Sequence, residues 1–367
     1  MPERVGPPVG CGPPVSGEGD LPMARTEREN FMRNAALQGH QWIPANVAIS
    51  GATWAEQREA LEAVCLRHPL FFPEFRQGQV DFDSFHRTDA QKVWTDPWGY
   101  KWQAELDGLI GIVLEHPLAD WDAFARWRPP EPPAFPAAER ERLAQARAAG
   151  RVAAFGVDHG FFFMRMHYLR GYESFMLDVA TGEPRLQELA ALIERYYQRV
   201  IAPYVECGLD LFEAADDLGT QTNSMIGPEH FRRWILPTYR RLFQPVRAAG
   251  GHVFLHSDGY TLDLMDPIIE SGVSIVNPQD LVNGIDAIAR HVKGRVCIRC
   301  DVDRQRIVPF GTPGDVRELI REEVLKLGAP AGGLEFVAGI YPPTPARNVD
   351  ALCSALEEFR TYWVGRP

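Results

Sequence analysis

From about residue 150 to the end, the chain alternates between short apolar runs rich in β-branched residues and long amphipathic stretches. The runs are 151–157, 209–215, 252–256, 273–277, 296–301 and 334–339; the helical stretches are 185–207, 228–249, 261–271, 285–291, 312–327 and 348–362. Repeated strand–helix alternation means parallel strands joined by crossover helices, because a parallel neighbour can be reached only by a long connection. The runs are apolar at consecutive positions, as expected of strands covered on both faces. A further unit is expected in the first half, with a strand at 47–50 and a helix at 55–66. The pattern predicts a (β/α)₈ TIM barrel with N-terminal elaborations over one end, as a single domain spanning 23–367. Residues 1–22 are dense in Gly and Pro and offer little to bury, so they read as a disordered tail.

Turn chemistry supports the helix starts. Pro228 follows Gly227 at a first helical position, and Thr312 precedes Pro313 as an N-cap. The region 80–135 differs, with Trp94, Trp98, Trp102, Trp121 and Trp127 among many prolines. It reads as an elaboration at one end of the barrel. A doubly wound open sheet is the rival architecture, but no GxGxxG or GxxxxGK[ST] phosphate loop is present.

Composition excludes several classes. The net charge of −11 disfavours a nucleic-acid partner. No run approaches the roughly 20 apolar residues of a membrane span, and the start lacks the features of a secretory signal. Six scattered cysteines argue for a reducing compartment, hence a cytoplasmic protein. There is no GxSxG elbow and no HExxH, and none of the four lysines closes an expected strand, which leaves nucleophilic-serine and Schiff-base chemistry without support.

In a barrel the working groups lie where strands end. The strand 252–256 ends in His256-Ser257-Asp258-Gly259, and residues two apart on extended chain point the same way, so His256 and Asp258 are expected to converge. Four roles fit the pair: half of a metal site, a substrate hydrogen-bonding pair, a histidine held by a carboxylate, or a local turn in which Asp258 caps the next helix. Glu213, Asp216 and Asp217 crowd another strand end, where Asp217 and Glu213 are candidate proton carriers. Asp158, His159, Arg165 and Arg170 follow the strand 151–157, and Arg299 and Tyr341 stand at later strand ends; all six are candidate substrate contacts. Cys300 is a candidate third metal ligand beside His256 and Asp258, although Cys297 and Cys300, three apart on a strand, face opposite sides.

Taken in order, several motifs resemble the uroporphyrinogen decarboxylase-like superfamily, which includes the methylcobamide:coenzyme M methyltransferases and related corrinoid-dependent enzymes. They are Thr95-Asp96-Pro97-Trp98-Gly99, His116-Pro117-Leu118, Leu169-Arg170-Gly171-Tyr172-Glu173, Asp216-Asp217-Leu218-Gly219-Thr220-Gln221, Leu255-His256-Ser257-Asp258-Gly259, Asn277-Pro278, Asp301-Val302-Asp303-Arg304-Gln305 and Pro343-Thr344-Pro345 with Asn348. The resemblance spans about 24–364 and implies a barrel. Family decarboxylases grip porphyrinogen carboxylates with an N-terminal arginine-rich loop; the matching segment here, 42–47, has no arginine. The methyltransferase branch holds zinc with a His-x-Cys pair and a distant Cys. His256 matches its histidine, Asp258 stands where the first cysteine would be, and Gly339-Ile340 where the second would be.

The expected activity is therefore a corrinoid-linked methyl transfer between a small methylated compound and a methylcobamide or thiol. The co-substrate would be methylcobamide on a partner corrinoid protein, with zinc or another divalent metal at His256 and Asp258. A second copy of the chain is a further expected partner; nucleic acid and membrane are not. The alternatives are a decarboxylase of a polycarboxylate, with Arg165, Arg170 and Arg299 as its anion cluster, and a barrel that binds without catalysis.

Overall fold

The computed structural model describes residues 25–85, 92–103, 111–157 and 159–366. The tail expected at 1–22 and Asp158 lie outside the described residues. The chain divides into two compact units, 87–298 and 1–86 with 299–367. Among the described residues, no helix is long and apolar enough to cross a membrane.

Ten strands occur among the described residues: β1 (Ala45–Ile49), β2 (Val93–Thr95), β3 (Lys101–Gln103), β4 (Ile112–Glu115), β5 (Ala154–Gly156), β6 (Leu211–Ala215), β7 (His252–His256), β8 (Ile275–Asn277), β9 (Cys297–Asp301) and β10 (Leu334–Ile340). In the unit 87–298, β5, β6, β7 and β8 pair in parallel, and Cys297 and Ile298 of β9 continue the pattern beside β8. In the other unit β1 pairs in parallel with β10, and the rest of β9 lies next to β10. The fold is thus α/β, with the parallel pattern carried by seven strands among the described residues.

Every strand expected after residue 150 is present, and the first-half unit is found as β1 with the helices Gly51–Gln57 and Glu59–Arg67. The 22-residue helix Arg185–Glu206 buries Leu186, Leu189, Ile193, Tyr197, Ile201 and Tyr204, a stripe at three- and four-residue spacing. The single helix expected over 228–249 is instead two, Pro228–Trp234 and Leu236–Ala248. Pro237 accounts for the break, since it has no N–H to donate and its ring collides with the carbonyl one turn back.

The tryptophan-rich region forms the antiparallel sheet β2-β3-β4. It packs against the helix Phe163–Arg170, where the Arg165 guanidinium lies 4.5 Å over the Trp98 ring. Beneath the ends of β5 and β6, Phe161, Phe212, Tyr239 and Phe243 form a fully buried aromatic cluster with ring centroids 5.0–6.1 Å apart. It anchors the turn after β5 to the helix Leu236–Ala248.

Candidate functional site

Strand pleat sorts the acidic residues at the end of β6. Alternate side chains face opposite sides, and the adjacent Asp216 and Asp217 diverge accordingly. Asp216 turns into the wall. Its carboxylate accepts from the amides of Phe162, Phe163 and Met164 at 2.6–2.9 Å and from the Tyr239 hydroxyl at 2.6 Å. It thereby caps the helix Phe163–Arg170 and fixes the turn that carries His159. Burial pushes the Asp216 carboxyl up to about 6, against the four donors that favour its charged form.

Asp217 emerges on the other side. Its Oδ2 lies 3.0 Å from His159 Nε2, and its Oδ1 accepts from the Asp258 amide at 2.9 Å. Burial opposes the Asp217 charge, but the hydrogen bond from His159 and the nearby His159 and His256 rings hold the carboxyl down at about 2. For His159, burial disfavours the charged ring, yet the Asp217 hydrogen bond and charge outweigh it and raise the pKa.

His256 closes β7 opposite Ala215 of β6. Its Nδ1 lies 2.5 Å from Asn277 Oδ1, at the end of β8, so Nδ1 donates and Nε2 faces the neighbouring carboxylates. That Nε2 is 3.5 Å from Asp258 Oδ1 and 3.9 Å from Asp217 Oδ1. Gln279 donates to Asp258 Oδ1 at 2.8 Å. His256 and Asp258 thus do converge, and Asp217 and His159 join them.

Two glycines bring these loops together. A Cβ on Gly259 would lie 2.4 Å from the Gly219 carbonyl carbon, and one on Gly219 would lie 2.5 Å from the Tyr260 oxygen. Gly259 also has a φ of +83°, which L side chains rarely adopt. Around this contact the Asp216 amide donates to the His256 carbonyl, the Leu218 amide to Ser257 Oγ and the Tyr260 amide to the Thr220 carbonyl, at 2.7–3.0 Å. The segments 216–220 and 256–260 are therefore one cross-tied platform.

A family model described as uroporphyrinogen decarboxylase (URO-D) matches residues 103–359. The chain belongs to the URO-D family. Among solved structures, a methyltransferase from Methanosarcina mazei has 16% sequence identity and a TM-score of 0.57, covering 92% of this chain and 99% of that one. At that identity the likeness shows the fold. A B12-independent methionine synthase from Shewanella sp. W3-18-1 has 10% identity and a TM-score of 0.40, covering 81% of this chain and 85% of that one. No curated protein matched the sequence.

Several residues expected at the barrel's strand ends are placed differently in the structure. Arg165, expected to contact substrate, is turned into the wall. It is buried, stacks on Trp98, and donates to the hydroxyls of Tyr100 and Tyr197. Arg170 is also in the wall, bound to Asp178 at 2.7 Å and to the carbonyls of Leu118 and Ala119, with Trp121 stacked 4.2 Å away. Glu213 lies mid-strand rather than at the strand end, opposite Gly156 of β5.

In the unit 1–86 with 299–367, Arg299 donates to the buried carboxylate of Glu335 at 2.7 Å. Cys300 is not placed as a metal ligand. The pleat of β9 turns it toward the helix Pro313–Leu327, where its thiol lies 3.4 Å from the buried Glu323. Tyr341 is half-exposed beneath the Arg304 guanidinium at 5.7 Å, and Gly339 leaves room for its ring.

Sequence reasoning missed Asp216 as the residue that fixes the His159 turn, and Asn277 and Gln279 as the partners that orient His256 and Asp258. The motif Asn277-Pro278 was visible; its partner, 21 residues away on the neighbouring strand, was not.

Proposed function

We propose that this URO-D family chain is a methyltransferase of the corrinoid-linked type. It would move a methyl group between a small methylated compound and a methylcobamide carried on a partner corrinoid protein. The eight-stranded closed barrel of the expected fold belongs to the same reading. The observation that carries it is the convergence of His159, Asp217, His256 and Asp258, in a chain whose structural neighbours include a methyltransferase.

The decarboxylase alternative requires guanidinium groups free to grip carboxylates. Arg165 and Arg170 are committed to wall partners, Arg299 to Glu335, and the segment matching the family's arginine-rich loop has none. No observation favours loss of catalysis either, since a mere scaffold has no need of a histidine–carboxylate cluster oriented by neighbouring amides. The thiolate zinc site of the methyltransferase branch does not fit these residues, because Asp258 and Gly339-Ile340 occupy the cysteine positions and Cys300 faces a helix.

Methyl transfer breaks the bond between the methyl carbon and its heteroatom, which leaves with the electron pair and needs positive charge nearby. His159, whose pKa the neighbouring Asp217 raises, is the group that can supply that charge in the metal-free protein. His256 Nε2 and Asp258 offer acceptors that orient a donor or take the proton of a thiol or hydroxyl acceptor. Asn277 fixes the ring so that Nε2 alone faces the substrate side.

The test is a transfer assay of the purified protein with reduced cobalamin and a panel of methoxy, methylamine and methylthio compounds. Formation of methylcobalamin with one class, abolished by His256→Ala, is the expected result. No transfer with any compound, or activity unchanged in His256→Ala, would contradict the reading.

A further inference from the structure

We propose that His159 Nε2, Asp217 and His256 Nε2 form a binding site for one divalent first-row transition ion of the zinc type, with Asp258 as a fourth oxygen donor. This ligand set differs from a thiolate zinc site: it holds two imidazoles and one or two carboxylates, and no sulfur. The three core ligands come from the ends of successive parallel strands or the turn after them, within the unit 87–298.

The distances carry the argument. His256 Nε2 is 3.5 Å from Asp258 Oδ1 and 3.9 Å from Asp217 Oδ1. Both exceed the roughly 3.2 Å limit of a good N–H···O bond, so a proton on Nε2 would bridge neither well. With Nδ1 donating to Asn277, Nε2 is the ring nitrogen turned toward the carboxylate oxygens of Asp258 and Asp217. Two imidazole nitrogens and a carboxylate oxygen thus lie within 4.8 Å of one another. Two donors bonded to one ion at about 2.1 Å stand roughly 3.0–3.4 Å apart at octahedral to tetrahedral angles. His159 Nε2 to Asp217 Oδ2, at 3.0 Å, already meets this spacing, and a shift of a few tenths of an ångström brings His256 and Asp258 into it.

The surroundings are those of a supported ligand set. Asn277 fixes the His256 tautomer, Gln279 holds Asp258, and the Asp258 amide holds Asp217. Outer-shell partners of this kind orient metal ligands and tune their affinity. Two nitrogens with carboxylate oxygen favour zinc, cobalt or nickel over magnesium, which prefers an all-oxygen octahedron. Binding would displace the proton shared by His159 and Asp217, so uptake of the ion releases a proton and strengthens as pH rises.

The experiment uses the full-length protein stripped with a chelator, with no substrate present, so that it can fail or succeed independently of the methyl-transfer reading. Cobalt(II) is titrated as a spectroscopic probe and zinc by competition, with metal content measured after dialysis. The expected result is one equivalent of cobalt with visible d–d absorption and no thiolate charge-transfer band, displaced by zinc, with magnesium ineffective. His159→Gln, Asp217→Asn and His256→Gln should each weaken binding a hundredfold or more, and Asn277→Ala about tenfold. Cys300→Ser should bind as the parent does. Circular dichroism and thermal melting of each variant separate lost ligands from lost fold. Absence of stoichiometric binding in the parent protein, or binding that survives all three ligand variants in folded protein, would overturn the proposal. So would a thiolate band abolished by Cys300→Ser.

Discussion

The strand ends of the two units handle charge in opposite ways. In the unit 1–86 with 299–367, each strong group found at a strand end has a local partner: Arg299 holds Glu335, Cys300 leans on Glu323, and Arg304 covers Tyr341. In the unit 87–298, Asp216 is satisfied in the same way, by four donors in the wall. The Nε2 edge of the His256 ring is not. His256 Nε2 faces carboxylate oxygens at distances too long for good hydrogen bonds, and the loops that create this arrangement are clamped by two glycines, two backbone ties and the Leu218–Ser257 Oγ bond. A buried polar group is ordinarily paired because leaving it unpaired costs about 1–3 kcal/mol. A rigid platform that holds His256 Nε2 beside carboxylates without a close hydrogen bond suits a ligand site, whereas self-paired groups support the fold.

The sharpest way to break this comparison is His256→Ala. It should lower methyl transfer by about a thousandfold, roughly 4 kcal/mol of transition-state stabilisation, while leaving thermal stability nearly unchanged. Asp216→Ala should do the reverse. It strands three buried amides and the Tyr239 hydroxyl, so chemical denaturation should show a loss of about 3–4 kcal/mol. Arg299→Ala leaves Glu335 buried without its cation, at a cost of about 3 kcal/mol by the same measurement, with metal binding in the surviving folded fraction unaltered.

Acid sensitivity gives a smaller effect away from either cluster. Burial holds His40 down at about 4, so its ring is neutral in the fold but protonates near pH 6.5 when unfolded. A depressed base costs stability as pH falls from about 6.5 through 4, on the order of 2 kcal/mol at the acid end. His40→Phe should flatten that part of the stability–pH curve, and a curve parallel to the parent's would contradict the assignment.

Much of the fold was legible because β6, β7, β9 and β10 are short, largely apolar runs set between long helical stretches. The pair His256 and Asp258 was legible for a related reason, since strand pleat alone predicts that they converge. What stayed hidden depended on partners far away in the chain. The helix Phe163–Arg170 is buried on nearly every side, so it shows no amphipathic stripe, and Arg165 and Arg170 looked available. Their partners Tyr100 and Leu118 come from a region whose sheet has strands of only three or four residues, too short for a periodic signal. The pairing of His159 with Asp217 spans 58 residues and joins two strand ends through the register of β5 and β6. Pleat separates Asp216 from Asp217, but which of the two faces the wall is set by the amides of Phe162, Phe163 and Met164, more than 50 residues away in the chain.

X-ray absorption at the zinc edge of the protein loaded with one equivalent tests the convergence of these side chains most directly. A first shell of nitrogen and oxygen at about 2.0–2.1 Å, with the multiple-scattering signature of two imidazoles and no sulfur, is the predicted result. Sulfur scattering near 2.3 Å, or a shell containing no imidazole, would place the ion elsewhere and contradict the account.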